Sequence, residues 1–342
     1  DWLNNPNAQQ HYINSNYTHI ARDMAAKGIN IICQAIAVRE EPTGEKRYSL
    51  SCNSDLSVDI LDLLQARRDK GEKIFAVGVI NRELPFMPHD AEVSADQFDV
   101  IITDPIGTHT LFSTPNMKIS LTDYAIGLHT SSLVLDGGTL QIGIGSLGDA
   151  IAHSLIMRDQ DNGTYSNIIK GLNHHLPLAT HLDVTPFAQG LYGCSEMFVN
   201  GFWKLIQANI VRRPVYNHTA LQTLINKGLI SDTVSLDTLK VLREHDVISS
   251  PLEGQDIALL ERLGIFNDDC TFEDGFITIG DVTISTDLDD EDTLQKIKDN
   301  CLGDKLQGGI IMHGGFFLGP ADFYQALREL PEEQRQQIGM ST

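Results

Sequence analysis

Short apolar runs rich in β-branched residues recur along this chain, separated by amphipathic stretches long enough for helices. That alternation restricts it to an α/β fold with largely parallel strands. Residues 31–38, 47–52, 73–80 and 99–104 read as buried strands, and 17–30 and 57–71 as helices that stop at Gly28 and Gly71. Residues 105–119, rich in Pro, Gly, Thr and Ser, read as a linker. A helix at 121–134, an Asp-Gly-Gly turn, a strand at 139–144 and a helix at 147–157 follow. The polar segment 158–190 reads as loop, 196–210 as helix, 217–265 as a run of helices and 271–291 as an exposed hairpin. A last strand and helix are expected at 308–317 and 321–330. With 342 residues the chain exceeds one ordinary core, and two domains are expected.

The formal net charge of -21 argues against nucleic acid and anionic membrane as partners, since both require a basic footprint. No stretch of about 18 apolar residues offers a transmembrane helix. Cys33, Cys52, Cys194, Cys270 and Cys301 form no CxxC pair, so neither a zinc site nor a disulfide framework is expected. Free thiols fit a reducing cytoplasm. His174, His175 and His181 have no acid or further histidine at helical spacing and read as loop rather than as metal ligands. The chain opens on Asp1-Trp2-Leu3, without an initiator Met or a signal pattern, and reads as cut or processed.

Three stretches carry candidate chemistry. The first is TLQIGIGSLGDAIAHSL, whose loop Gly143-Ile144-Gly145-Ser146-Leu147-Gly148 has GxGxxG spacing. A dinucleotide site would need a second strand ending in an acid about 20 residues on. Around 168 the chain reads SNIIKGLNHH, without such an acid. A tight turn packing a helix on a sheet is a second reading. The preferred one turns the loop's backbone N–H groups toward a ligand, as an anion or oxyanion site. The second stretch is Gly193-Cys194-Ser195-Glu196-Met197-Phe198-Val199-Asn200-Gly201. Glu196 either projects into a cleft or, with Ser195 as cap, complements the first turn of a helix. Cys194 is a rival nucleophile. The third stretch, residues 308–320, has glycines at 308, 309, 314, 315 and 319 around an apolar strand, which implies close backbone approach. His313 within it reads as a satisfied core or cleft histidine. Asn81 and Arg82 follow the 73–80 strand, at the end where open α/β sheets bind ligands.

Together these stretches resemble the acetyl-CoA hydrolase/transferase family, which includes 4-hydroxybutyrate and succinyl-CoA:acetate CoA-transferases. The likeness lies in residues 135–151 (LDGGTLQIGIGSLGDAI), 195–201 (SEMFVNG), 306–327 (LQGGIIMHGGFFLGPADFYQAL) and 81–88 (NRELPFMP). It implies two NagB/RpiA/CoA-transferase-like α/β domains, with mainly parallel sheets flanked by helices. Residues 1–110 would be the C-terminal part of the first, and 111–342 the second, with a helical insertion at about 217–265. About 45 residues separate the glycine loop from the glutamate segment, more than the family pattern has. The family extends past both ends of this sequence, so the chain is expected to be part of a larger enzyme and to be inactive alone.

The resemblance makes Glu196 the nucleophile. It implies a glutamyl anhydride and then a glutamyl-CoA thioester, or hydrolysis by water. The amides of Gly143, Gly145 and Ser146 would bind the oxyanion. Gly143, Gly145, Asn81, Gly314 and Gly315 would contact coenzyme A, here a substrate, with no metal involved. The implied partners are a small acyl-CoA and a carboxylic acid acceptor, and a homodimer is left open. Two alternatives stand beside this: a catalytically silent acyl-CoA-binding protein, and a nicotinamide oxidoreductase.

Overall fold

The computed structural model describes residues 4–7, 12, 14–115, 117–173 and 182–341. The chain divides into two compact units, Asp1–Arg213 with Met312–Thr342, and Pro214–Ile311. His174, His175 and His181 lie outside the described residues.

In chain order the first unit begins with α1 (Ile20–Ala26), β1 (Ile31–Glu40), β2 (Lys46–Ser49), α2 (Ser54–Arg68), β3 (Phe75–Ile80), β4 (Glu92–Val93) and β5 (Val100–Ile102). It continues through α3 (Leu121–Ser131), β6 (Thr139–Leu140), α4 (Ser146–Gln160), α5 (Asn162–Asn173), β7 (Tyr192–Val199) and α6 (Asn200–Gln207). The second unit holds α7 (Thr219–Asn226), α8 (Leu236–Glu244), α9 (Gly254–Arg262), β8 (Thr271–Glu273), β9 (Phe276–Ile279), β10 (Val282–Ser285) and α10 (Glu291–Asn300). The chain then returns to the first unit with β11 (Met312–Leu318), α11 (Ala321–Arg328), α12 (Glu332–Arg335) and β12 (Ile338–Met340).

Two sheets lie within the first unit. One has the order β4-β2-β1-β3-β5, parallel from β1 through β3 to β5 and antiparallel beyond. Alternate residues of β1 and β3 point into two buried clusters under α2, Ile32 against Ile60 and Leu64, and Ile36, Ala76 and Ile80 against Val58 and Leu61. On the other face Ile31 pairs with Phe75, Val77 with Val100, and Val79 with Ile102. Ile31, Phe75, Val100 and Ile102 are exposed there, although parallel strands are ordinarily covered on both faces. The described residues of 105–119, read as a linker, have one short 3₁₀ turn and otherwise no regular structure.

The other sheet has the order β12-β11-β7-β6 and is parallel throughout. Its core is aromatic: Phe198 and Phe317 each meet the edge of the Phe323 ring, at 5.3 and 6.4 Å between centroids. Buried Arg335 ties the two sheets' loops together, donating to the carbonyls of Phe86 at 2.7 Å and Leu330 at 2.8 Å.

Three expectations change. Segment 158–190, read as loop, contains α5. Its polar residues and two glycines disguise a helix whose Tyr165 and Ile169, four apart, are both buried. Packing of that stripe outweighs weak propensity. The strand expected at 139–144 is paired only at Thr139 and Leu140. The helix expected from 196 starts at Asn200, because Met197, Phe198 and Val199 extend β7 against Phe316, Phe317 and Leu318.

The Asp-Gly-Gly turn before β6 is held by a carboxylate. Asp136 accepts from the N–H groups of Gly137 (3.0 Å), Ala188 (2.9 Å), Gln189 (2.9 Å) and Gly190 (2.9 Å). Burial pushes its pKa up, but those amides outweigh burial and hold it below the ordinary carboxylate value. A depressed folded-state pKa gives stability that is present above about pH 4 and lost as pH falls through the folded value. Asp136→Asn should therefore cost about 1 kcal/mol at pH 7, allowing for solvent screening. In denaturant unfolding followed against pH, the gap to wild type should close below about pH 4; a gap that persists there would reject this account.

In the second unit, residues 217–265 carry α7, α8 and α9. Residues 271–285 form an antiparallel sheet in the order β10-β9-β8. Leu221, Leu239, Leu260, Ile277, Ile284 and Ile297 share one buried cluster, so this unit has its own core.

Candidate active site

The centre of the site is the parallel pair β6 and β7. Thr139 lies opposite Tyr192 and Leu140 opposite Gly193, where β6 ends. Glu196 therefore stands beyond the end of its neighbour, alongside the glycine loop. Ser195 joins the two directly: its hydroxyl donates to the carbonyl of Ile142 at 3.1 Å. This corrects the reading of Ser195 as a helix cap and of Glu196 as a first-turn residue. Both lie in β7, and Val199 precedes the helix without a side-chain cap bond.

Three glycines of the loop answer different demands. Gly145 ends the loop at φ +120°, a conformation that only glycine adopts without strain, and α4 begins at Ser146. The N–H groups of that first turn have no partner inside the helix and point out of its N-terminus. The Ser120 cap, and after it the nearby Ser146 side chain, hold the Asp123 carboxyl below its ordinary pKa. Gly148 lies in the first turn, where a Cβ would overlap the carbonyl oxygen of Gly143. At Gly143 itself a Cβ would meet nothing within 4 Å. Gly148→Ala should thus cost about 2–3 kcal/mol, because the obstacle is backbone. Gly143→Ala should stay within about 0.5 kcal/mol. Equal midpoints for the two variants in urea would contradict this packing argument.

On its other side β7 pairs with β11, Ser195 opposite Gly314 and Met197 opposite Phe316. Glu196 thus has Gly315 beside it. A Cβ on Gly315 would lie 3.3 Å from the Glu196 carbonyl oxygen and 3.4 Å from Cβ of Asp55. Gly314 faces the opposite side, where a Cβ would press on Phe198 at 3.1 Å. The exposed Glu196 side chain therefore sits between a glycine loop and a bare strand position.

Two neighbours of Glu196 had no signal in the sequence. Asp55, in the first turn of α2, reads locally as an ordinary dipole complement. Its carboxylate accepts the Tyr17 hydroxyl at 2.6 Å. Burial raises the Asp55 pKa, and the Glu196 charge adds to it against the Tyr17 bond. Burial and Asp55 together push the Tyr17 hydroxyl far above its ordinary value.

Along the same face of β7, the Tyr192 hydroxyl lies 2.6 Å from His313 Nδ1, and burial, then Cys194, push its pKa up to about 12. Burial and neighbouring His89 lower the pKa of His313. His313 thus spends Nδ1 on Tyr192 rather than on exposed Cys194, which weakens a Cys–His pairing. Asn81 is buried and committed within its own loops, donating to the carbonyl of His109 at 3.0 Å and accepting from the Glu83 N–H at 3.0 Å. Arg82 is exposed. An open groove of about 580 Å³ between α4 and α6, lined by Ile119, His153, Ile156, Asn200 and Lys204 among others, takes none of its lining from β7.

Among the described residues, no group of three or more His, Cys, Asp or Glu side chains is placed to hold a metal ion. No helix among them is long and apolar enough to cross a membrane. Among the described residues, the next strand after the GxGxxG loop begins at Tyr192, far beyond the spacing of a dinucleotide fingerprint.

No protein-family model matches the chain. RipA from Yersinia pestis has a solved structure that aligns with 96% of this chain and 45% of its own, at 14% identity and a TM-score of 0.47. A 4-hydroxybutyrate CoA-transferase from Porphyromonas gingivalis aligns with 60% of this chain and 42% of its own, at 17% identity and a TM-score of 0.37. In sequence, 94 residues, or 27% of the chain, are 30% identical to the 4-hydroxybutyrate coenzyme A transferase of Clostridium kluyveri. The match covers 21% of that protein's length, and over this segment the chain is similar to a coenzyme A transferase.

Proposed function

We propose that the protein carrying this chain is an acyl-CoA hydrolase or CoA-transferase, with two domains of the CoA-transferase type, acting on a small acyl-CoA in the cytoplasm. The observation that carries the reading is Glu196 on β7, beyond the end of β6 and alongside the glycine loop. Ligands of open α/β sheets bind at such strand ends.

In this reading Glu196 attacks the thioester carbonyl, the C–S bond breaks, and CoA leaves as the thiolate from an acyl-glutamyl anhydride. Amides of Gly143, Gly145 and Ser146 bind the oxyanion, each contributing roughly 3 kcal/mol. The N-terminus of α4 favours the anionic substrate locally, against the net charge of -21. Gly315 leaves room beside the nucleophile. Thiolate return followed by attack of a carboxylic acid would give transfer; attack of water would give hydrolysis.

The test is trapping in the intact gene product with acetyl-CoA and succinyl-CoA, with and without acetate. Hydroxylamine should convert acylated Glu196 to a hydroxamate, and borohydride should reduce a glutamyl-CoA thioester, both read by peptide mass spectrometry. Modification of Cys194 instead, or an unmodified Glu196 during turnover, would overturn the assignment.

A further inference from the structure

We propose that Asp55 is the proton acceptor for the water that hydrolyses acylated Glu196, with Tyr17 as its positioning residue. The proposal rests on Glu196 being the nucleophile, and it assigns the site to hydrolysis rather than to transfer alone.

Geometry brings the two carboxylates together from distant parts of the sequence. Asp55 enters on the first turn of α2, and the Ser54 hydroxyl docks that turn on the Gly315 carbonyl at 3.3 Å. Gly315 is the β11 residue beside Glu196, and its absent side chain leaves Asp55 Cβ facing the nucleophile's strand. The Tyr17 hydroxyl fixes one Asp55 oxygen at 2.6 Å, and the Tyr17 ring leans on Phe316 with 5.8 Å between centroids. The other oxygen has no such bond to Tyr17. Among the described residues, the charged and titratable groups that bear on Asp55 are Tyr17, Cys52 of its own segment and Glu196, and none of these is a cation.

That environment suits a base whose proton affinity must rise during the reaction. Burial, and then the charge of Glu196, raise the Asp55 pKa. While Glu196 is acylated it carries no charge, so Asp55 ionises more readily and can receive a proton. Water oxygen then bonds to the acyl carbon, and one water proton passes to Asp55. The bond from the acyl carbon to the Glu196 oxygen breaks, and its electron pair stays on Glu196 as a carboxylate. The returning charge strengthens Asp55's hold on the proton as the proton arrives. The carboxylic acid product ionises to solvent. Asp55 then gives its proton to solvent, from which the departed CoA thiolate takes one, so the net reaction is thioester plus water to CoA, carboxylate and one proton. Return of the thiolate to acylated Glu196 requires no proton acceptor.

A helix-start residue alone would not separate acylation from deacylation, and that split is the test. Asp55→Asn keeps an oxygen for Tyr17 and should leave the burst of CoA release from acetyl-CoA in place. Steady-state hydrolysis should fall on the order of 100-fold, with hydroxylamine-sensitive Glu196 accumulating. Tyr17→Phe removes a bond that lowers the Asp55 pKa, so the acid limb of the deacylation rate should move to higher pH. Equal loss of burst and steady state in Asp55→Asn, hydrolysis within about twofold of wild type, or an unmoved acid limb in Tyr17→Phe would each overturn the proposal. A wild-type enzyme that turns over with Glu196 unmodified would refute the nucleophile assignment, and this proposal with it.

Discussion

Glu196→Gln should lower turnover of acetyl-CoA by at least about 10³-fold in the intact gene product, because a neutral amide cannot form the anhydride. The substitution keeps shape and volume. Glu196 is exposed, and β7 is held by its backbone ladder to β6 and β11 rather than by this side chain. Unfolding midpoint and CoA affinity should therefore match wild type, while the burst of CoA release disappears. Glu196→Asp should be nearly as damaging, since a shift of about 1 Å can cost on the order of 100-fold. Near-normal turnover in the Gln variant would remove Glu196 from the mechanism, and the glycine loop would then be read as packing alone.

Arg158→Met should produce the largest loss of stability, about 3–5 kcal/mol. Arg158 is fully buried near the end of α4. Its guanidinium donates to the carbonyls of Thr185 at 2.7 Å and Ser131 at 3.0 Å, and to that of Val134. It lies over the Phe187 ring, 4.3 Å from its centroid. Nη2 is 2.8 Å from Asp183, as an ion pair out of line for a directed hydrogen bond. Burial would raise the Asp183 pKa, but the Thr185 hydroxyl and amide, with Arg158, hold it below the ordinary value. Methionine takes most of the volume but removes a donor from three carbonyls and the counter-ion of Asp183. Lysine would restore the charge but not the planar fork that reaches several carbonyls at once. The melting temperature should drop by roughly 10 °C or more, and Arg158→Lys should recover only part of it. A loss under about 1 kcal/mol would show that the site reorganises around the cavity.

Periodicity was a good guide where one element buries its own stripe. The runs at 31–38 and 73–80 became β1 and β3, and the amphipathic stretches within 217–265 became α7, α8 and α9. It failed at α5, where Tyr165 and Ile169 are the buried stripe among the described residues of a polar segment. It failed again at β7, where SEMFVNG permits helix or strand until Phe316–Leu318 offer a ladder to pair with. Propensity over so few residues is weak beside a row of backbone hydrogen bonds.

The candidate site divides the same way. The order strand, glycine loop, helix and the presence of an acid beside small residues are properties of the sequence, because they depend on spacing and on glycine's freedom at Gly145. What each glycine does is tertiary: Gly148 is needed for the Gly143 carbonyl, and Gly315 for Asp55 and Glu196. The pairing of Asp55 with Glu196 is tertiary altogether. The two are 141 positions apart (196 − 55), and no local pattern marks an aspartate that begins a helix. Only the docking of α2 on β11 half-buries Asp55 and sets it near a second carboxylate, and partial burial near like charge is what changes its chemistry.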